Sequence, residues 1–307
     1  MMAPFPGTME DIQNRIEVDK ILKECWKNPD AGYEIQPTDE WIVNNQKQQQ
    51  DGYHFDILEQ DTFDEDTTIA RKKPSTYGEI TSLGARQLFG VMGLLDCSQQ
   101  KQKLSPIHFF DLGSGTGKLV GQVFLELSHD RVVSATGIEL SPSRHESAIR
   151  AKETLMRLPG AANVWSKSTK FDDGYRSNND IIRRSNNNKL ELIEGDIFDA
   201  DFSTATHIYV ASLCFPHNLM VRLEERLQTL LQHQQDEHPR NHADDSSSQE
   251  DCVLQWVASL QPFPNNLGGI RPVVRFMEMS WTKPLGCAVY LYRCSDKMKN
   301  DRERNKG

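Results

Sequence analysis

The sequence predicts an α/β fold: a doubly wound, mostly parallel sheet of about seven strands, with a small N-terminal appendage. Three observations carry this expectation. The apolar run Ile107–Leu112 (Ile-His-Phe-Phe-Asp-Leu) ends in a glycine-rich turn and opens into a helical pattern. Strand-like and helix-like stretches then alternate, the order that winds a parallel sheet. The final apolar stretches follow one another without a helix between them, which fits an antiparallel strand added late.

Taken in order, residues 1–69 read as the appendage. Residues 30–66 hold eleven acids against one base, Lys47, with apolar residues such as Tyr33, Trp41, Phe55 and Phe63 interspersed. That composition predicts a partly ordered segment whose acids form a solvated face. Residues 70–295 read as the main domain. After the first strand come a helix over 118–127 and a strand over 132–140 that closes on an acid. A helix over 142–158 follows. Residues 163–188 are rich in Ser, Asn and charge and predict a loop insertion. Strands are expected at 190–193, 208–212, 252–260, 273–281 and Cys287–Arg293, with an amphipathic helix over 219–231. The low-complexity stretch 233–251 predicts a second surface insertion, and 296–307 a basic tail.

The 307 residues suffice for one large α/β domain plus the appendage. No run approaches 18 apolar residues, so no membrane span is expected. The first ten residues carry an early acid and no basic or apolar leader region, which argues against a secretory signal. The six cysteines are scattered without a C-x-x-C pair, which argues against a zinc site or disulfide framework and for an intracellular, reducing compartment. A net charge of −9 disfavours broad nucleic-acid binding and leaves room for weak contact at most, through Arg71–Lys73 and the bases of the tail.

Chemistry concentrates where the first strand meets the first helix: Asp111-Leu112-Gly113-Ser114-Gly115-Thr116-Gly117. Glycines at the carboxyl end of a strand let the backbone approach a ligand closely, with helix N–H groups facing it. A dinucleotide-binding turn would place glycine or alanine at 118, where this chain has Lys118. Glu139 closes the second strand, twenty-two residues after Gly117, where an acid accepts hydrogen bonds from ribose hydroxyls. Asp196 and Ile197 follow the third strand in the run Gly195-Asp196-Ile197-Phe198.

The D-x-G-x-G-x-G turn and the acid after it resemble the first two motifs of class I methyltransferases. The resemblance implies S-adenosylmethionine as cofactor. Asp111, Gly113, Ser114, Gly115 and Gly117 would then cradle its methionine half and Glu139 its ribose. Asp196 would reach the adenine amine, and Ile197 would pack on the ring.

Within that superfamily the chain resembles the disruptor-of-telomeric-silencing family, which methylates a lysine on the folded core of a histone without a SET domain. Thr76-Tyr77-Gly78-Glu79 is similar to the family's loop over the cofactor, implying Tyr77 and Glu79 as cofactor contacts. Ser280-Trp281-Thr282-Lys283-Pro284 is similar to its late substrate-side motif, and the matching pieces run from Thr76 to about Arg293. The resemblance implies a nuclear enzyme acting on a protein substrate, nucleosomal histone, with no metal. Phe215 and Trp281 are the candidate walls of a lysine channel, and Ser212 stands in the same loop as Phe215. The chain departs from the family at Ala211-Ser212-Leu213-Cys214-Phe215-Pro216, where two asparagines are replaced, and at Cys287, where a tyrosine is expected.

Overall fold

The computed structural model describes residues 9–28, 32, 39, 78–95, 106–127, 132–159, 161, 189–236, 253–282 and 286–294. Seven strands form one sheet: β1 (Ile107–Leu112), β2 (Val132–Glu139), β3 (Lys189–Glu194), β4 (His207–Val210), β5 (Trp256–Ser259), β6 (Val273–Met277) and β7 (Cys287–Arg293). Their order is β3-β2-β1-β4-β5-β7-β6. The first five are parallel, while β7 runs antiparallel to both β5 and β6. This is the doubly wound, mostly parallel sheet the sequence predicts.

Side chains alternate across a strand, so β1 feeds two cores. Phe109 joins a cluster with Leu119, Val120, Val123 and Leu155 on one face. Phe110 and Leu112 join Ile208, Leu223, Leu227, Val257 and Tyr292 on the other. Helices α1 (Met9–Cys25), α2 (Ser82–Val91), α3 (Lys118–Glu126) and α4 (Pro142–Arg157) supply the first cluster, through Leu22, Phe89, Val123 and Leu155 among others. Helix α5 (His217–Asp236) supplies the second through Met220, Leu223, Leu227 and Leu231. Ser141 caps α4 by accepting from the Arg144 N–H at 3.3 Å, and Pro142 opens its first turn.

Among the described residues, two of the longer helices were not expected, nor was the short one at Asn266–Gly269. Helix α1 lies in the stretch assigned to the appendage, yet Val18, Ile21 and Leu22 are buried in the first cluster. Its apolar face is narrow, and an ion network reinforces it. The buried Arg86 of α2 donates to Asp19 of α1 and to Glu126 of α3, so one guanidinium ties three helices. Helix α2 falls between the T-Y-G-E run and β1.

Several boundaries move. The strand expected over 208–212 stops at Val210, and Ser212–Cys214 is a 3-10 turn. The strand expected from 252 begins at Trp256, because it pairs one to one with the four residues of β4. The strand expected over 273–281 ends at Met277, leaving Met279 in a single bridge to Ile80. Helix α5 runs on to Asp236, past the expected start of the low-complexity stretch. There the Gln234 side chain accepts from the Leu254 N–H (2.8 Å) and donates to the Ser203 carbonyl (3.2 Å). The insertion at 163–188 and the tail at 296–307 lie outside the described residues, as does most of 233–251. Among the described residues no helix is long and apolar enough to cross a membrane.

Candidate functional site

Strand β1 ends at Leu112 and the chain folds back at once. Gly113 and Gly117 take φ values of 85° and 76°, a region that residues with a Cβ avoid. The N–H groups of Gly113 and Ser114 both donate to the Ile138 carbonyl at the end of β2, at 2.9 and 3.0 Å. Gly117 then opens α3. The turn thus crosses the carboxyl ends of β1 and β2, and β4 lies on the other side of β1. Strand order reverses there, and open α/β sheets bind ligands in that crevice.

Glu139 is buried against the turn. Its Oε2 accepts from the Gly115 N–H at 2.7 Å and its Oε1 from the Ser141 N–H at 2.9 Å. A carboxylate offers about four acceptor sites, so these two bonds fix its orientation and leave acceptor capacity for hydroxyl donors. The Gly195 N–H donates to the Glu139 carbonyl at 2.9 Å, which brings the segment after β3 alongside. In that segment Asp196 Oδ1 accepts from the Phe198 N–H at 2.9 Å and closes a local turn. Ile197 is buried in the second cluster, and Phe198 stacks under the Arg222 guanidinium at 4.1 Å.

Asp111 is the odd member. It is 3% exposed, and its Oδ1 has no hydrogen-bond partner. Burial, and then the charges of Glu139 and Glu79, hold its carboxyl well above the usual range. An orphaned carboxyl oxygen among two further carboxylates is a place a cation would complete. Tyr209, opposite Asp111 on β4, is buried too; burial and then Asp111 and Cys287 push its hydroxyl up. Burial likewise raises the Cys287 thiol.

Glu79 reaches the turn from α2's side. Its carboxylate accepts from the Thr116 hydroxyl and lies 3.5 Å from Lys118 Nζ. Its backbone pairs with the segment 278–280. The Ser280 N–H donates to the Glu79 carbonyl (2.8 Å), the Glu79 N–H to Ser280 Oγ (3.1 Å), and the Thr81 N–H to the Glu278 carbonyl (3.2 Å). The Trp281 ring lies against Gly78 so closely that a Cβ there would sit 2.2 Å from it. Two motifs two hundred residues apart therefore form one wall. Tyr77 lies outside the described residues.

On the β4 side, Phe215 is half-buried, and its Cζ lies 4.0 Å from where a Cβ on Gly113 would stand. Ser212 is fully buried, and its hydroxyl accepts from the N–H groups of Leu260 (3.1 Å) and Gln261 (3.0 Å). That oxygen holds the loop to the end of β5. Gln261 completes the tie: its Nε2 donates to the carbonyls of Ser212 (2.5 Å), Leu213 (2.8 Å) and Phe215 (3.1 Å). The structure thus brings Glu79, Asp111, residues 113–117 and Glu139 together at the carboxyl ends of β1 and β2, with Phe215 on the β4 side and Trp281 against Gly78. Gln261 and Ser141 were not legible as site residues, because each acts through backbone groups its own sequence neighbourhood does not announce.

The strand order and the late antiparallel strand are those typical of class I methyltransferases. No protein-family model matches the chain, and no curated protein does. Among solved structures it is similar to an RNA methyltransferase from Salinibacter ruber in complex with S-adenosyl-L-homocysteine. Identity is 16%, over 68% of this chain and 89% of that one, with a TM-score of 0.34. It is also similar to a SAM-dependent methyltransferase from Thiobacillus denitrificans, at 13% identity over 70% and 58%, TM-score 0.29. A third is the rRNA methyltransferase aviRa from Streptomyces viridochromogenes, at 11% identity over 78% and 96%, TM-score 0.37.

Proposed function

We propose that this chain, whose sheet is that of the class I methyltransferases, binds S-adenosylmethionine in the cleft at residues 111–117 and transfers its methyl group to a protein lysine. The observation that carries the cofactor half is Asp111, a buried carboxyl with an unpartnered oxygen, set in a glycine turn beside the oriented Glu139. Asp111 and the turn would hold the methionine half with its ammonium, and Glu139 the ribose hydroxyls. Asp196 and Ile197 would hold the adenine. Tyr77 and Glu79 would close over the top.

When bound, the cofactor supplies an electrophilic methyl on a sulfonium. The chain's own part is to place a nucleophile in line with it, which by itself supplies much of the rate. A lysine amine would have to be held neutral to take that methyl, and would afterwards shed a proton. Apolar walls lower a lysine pKa by desolvation. Phe215 beside Gly113 and Trp281 over Gly78 would supply such walls, with Ser212 and Gln261 holding the loop that carries Phe215.

The family resemblance favours a histone core lysine in a nuclear setting. Its support is that the T-Y-G-E and S-W-T segments, which lie outside the generic cofactor motifs, pair directly with each other. A second reading, a lysine on another protein, is favoured by the replaced asparagines at 211–216 and the net charge of −9. Radiolabelled methyl transfer to nucleosomes, free histones and whole lysate separates the two. Labelled histone supports the first, and a labelled non-histone protein the second. Labelled RNA or small molecules without protein would refute both. Phosphate contacts dominate affinity for nucleosomal DNA, so nucleosome labelling should fall steeply with salt and depend on residues 297–307.

A further inference from the structure

The stretch read as an acidic appendage makes two contacts with the cofactor cleft that the reading above does not use. Asp39 is buried, and its Oδ1 accepts from Ser141 Oγ at 2.7 Å and its Oδ2 from Ser143 Oγ at 2.6 Å. Ser141 is also the residue whose N–H donates to Glu139 Oε1 at 2.9 Å, and Glu139 Oε2 in turn accepts from Gly115 at 2.7 Å. An unbroken path of hydrogen bonds therefore runs from Asp39 through Ser141 and Glu139 into the glycine turn. The same stretch takes a second hold on the same helix turn, since Arg144 Nε donates to the Gly32 carbonyl at 2.9 Å.

At the other end of the turn, Trp26 Nε1 donates to the Thr116 carbonyl at 2.8 Å. Its indole lies directly on the backbone of α3, where a Cβ at Gly121 would sit 2.4 Å from the ring. Thr116 is the residue whose hydroxyl donates to Glu79. The N-terminal stretch thus grips the cleft at both ends, through residues 90 and 102 positions away in sequence.

We infer that Asp39 and Trp26 are positioning residues of the cofactor site, Asp39 for its ribose half through Ser141 and Glu139, and Trp26 for its methionine half through Thr116. The inference rests on the proposed cofactor reading. It makes the N-terminal stretch a working part of the site rather than a solvated appendage. Coupling of this kind is reciprocal: whatever holds the stretch in place tightens the cofactor, and the cofactor steadies the stretch by the same factor.

Calorimetric titration of the full chain with S-adenosylhomocysteine and with 5′-methylthioadenosine, which lacks the amino-acid half, tests it. Asp39→Ala should weaken both ligands about 5- to 10-fold, the loss of roughly one oriented hydrogen bond. Asp39→Asn keeps one acceptor oxygen for Ser141, while its amide can donate to the Ser143 hydroxyl oxygen, and should recover most of that loss. Trp26→Phe keeps an aromatic ring but loses the N–H and part of the indole contact on Gly121; it should weaken S-adenosylhomocysteine about 5-fold and spare 5′-methylthioadenosine. Wild-type affinity in both Asp39→Ala and Trp26→Phe overturns the inference. So does an equal loss of both ligands in both variants that tracks a lowered melting temperature, the mark of a purely structural role. A wild-type chain that binds neither ligand overturns the cofactor reading itself, and this inference with it.

Discussion

Replacing Asp111 by asparagine separates the needs of the empty fold from those of the site. In the folded chain this carboxyl is buried, lacks a partner for Oδ1 and faces Glu139 and Glu79, so it holds its proton far above its ordinary value of 3.8. The unfolded chain ionises near that ordinary value. As pH rises above it, the unfolded state sheds a proton that the folded state keeps, and stability is lost until the folded group also ionises. Asparagine has the same shape, no charge, and an amide that can donate to the neighbouring carboxylates. An unsatisfied buried polar group costs about 1–3 kcal/mol, so Asp111→Asn should stabilise the ligand-free chain by about 1–2 kcal/mol at pH 8. At roughly 2–4 °C per kcal/mol for a chain of this size, the melting temperature rises by about 2–8 °C. The gain should shrink toward pH 5, the direction linkage requires. Cofactor affinity should move the opposite way: losing a charged partner for the ammonium costs about 1.5–3 kcal/mol, or 10- to 150-fold. Differential scanning fluorimetry at pH 5 and pH 8 reads the first effect and calorimetry the second. A melting temperature unchanged or lowered at pH 8, together with wild-type affinity, would refute the reasoning.

Other substitutions address other parts of the cleft. Glu139→Ala removes the proposed ribose acceptor, so S-adenosylmethionine affinity should fall about 10- to 150-fold by calorimetry in a folded variant. Gln261→Ala frees three carbonyls of the loop carrying Phe215; cofactor affinity should change less than about 3-fold while methyl-transfer kcat falls at least about 10-fold. Gly78→Ala drives a Cβ into the Trp281 ring, so the fluorescence of Trp281, compared against Trp281→Phe, should shift. Shortening the link after Asp236 to a brief Gly/Ser connection should cost less than about 10 °C in melting temperature, since loop closure depends weakly on length. Gln234→Ala should instead cost about 1–2 kcal/mol by denaturant titration, because it strands the Leu254 N–H.

What the sequence made legible was whatever depends on neighbours along the chain. Strand β1 runs straight into its glycines, and an acid closes β2 one helix later, so the centre of the sheet could be read directly. Long-range pairing was not legible. Helix α1 shows few apolar positions, and its docking depends on a partner 67 residues away, Arg86. The T-Y-G-E and S-W-T segments each carried a resemblance, but nothing in either indicates that Glu79 and Ser280 exchange hydrogen bonds. Strand ends moved for a similar reason: β5 pairs only as far as the four residues of β4 allow. Ser212 looked like a candidate because of its place in the loop, and only the fold shows its hydroxyl committed to Leu260 and Gln261.

Whether the glycine turn at residues 111–117 takes S-adenosylmethionine is read out by equilibrium titration of the wild-type chain with that compound. Binding should be saturable at one site per chain, competed by S-adenosylhomocysteine and weakened at least about 10-fold in Glu139→Ala. Absence of binding by a folded wild-type chain, or binding that Glu139→Ala leaves untouched, would contradict the cofactor reading.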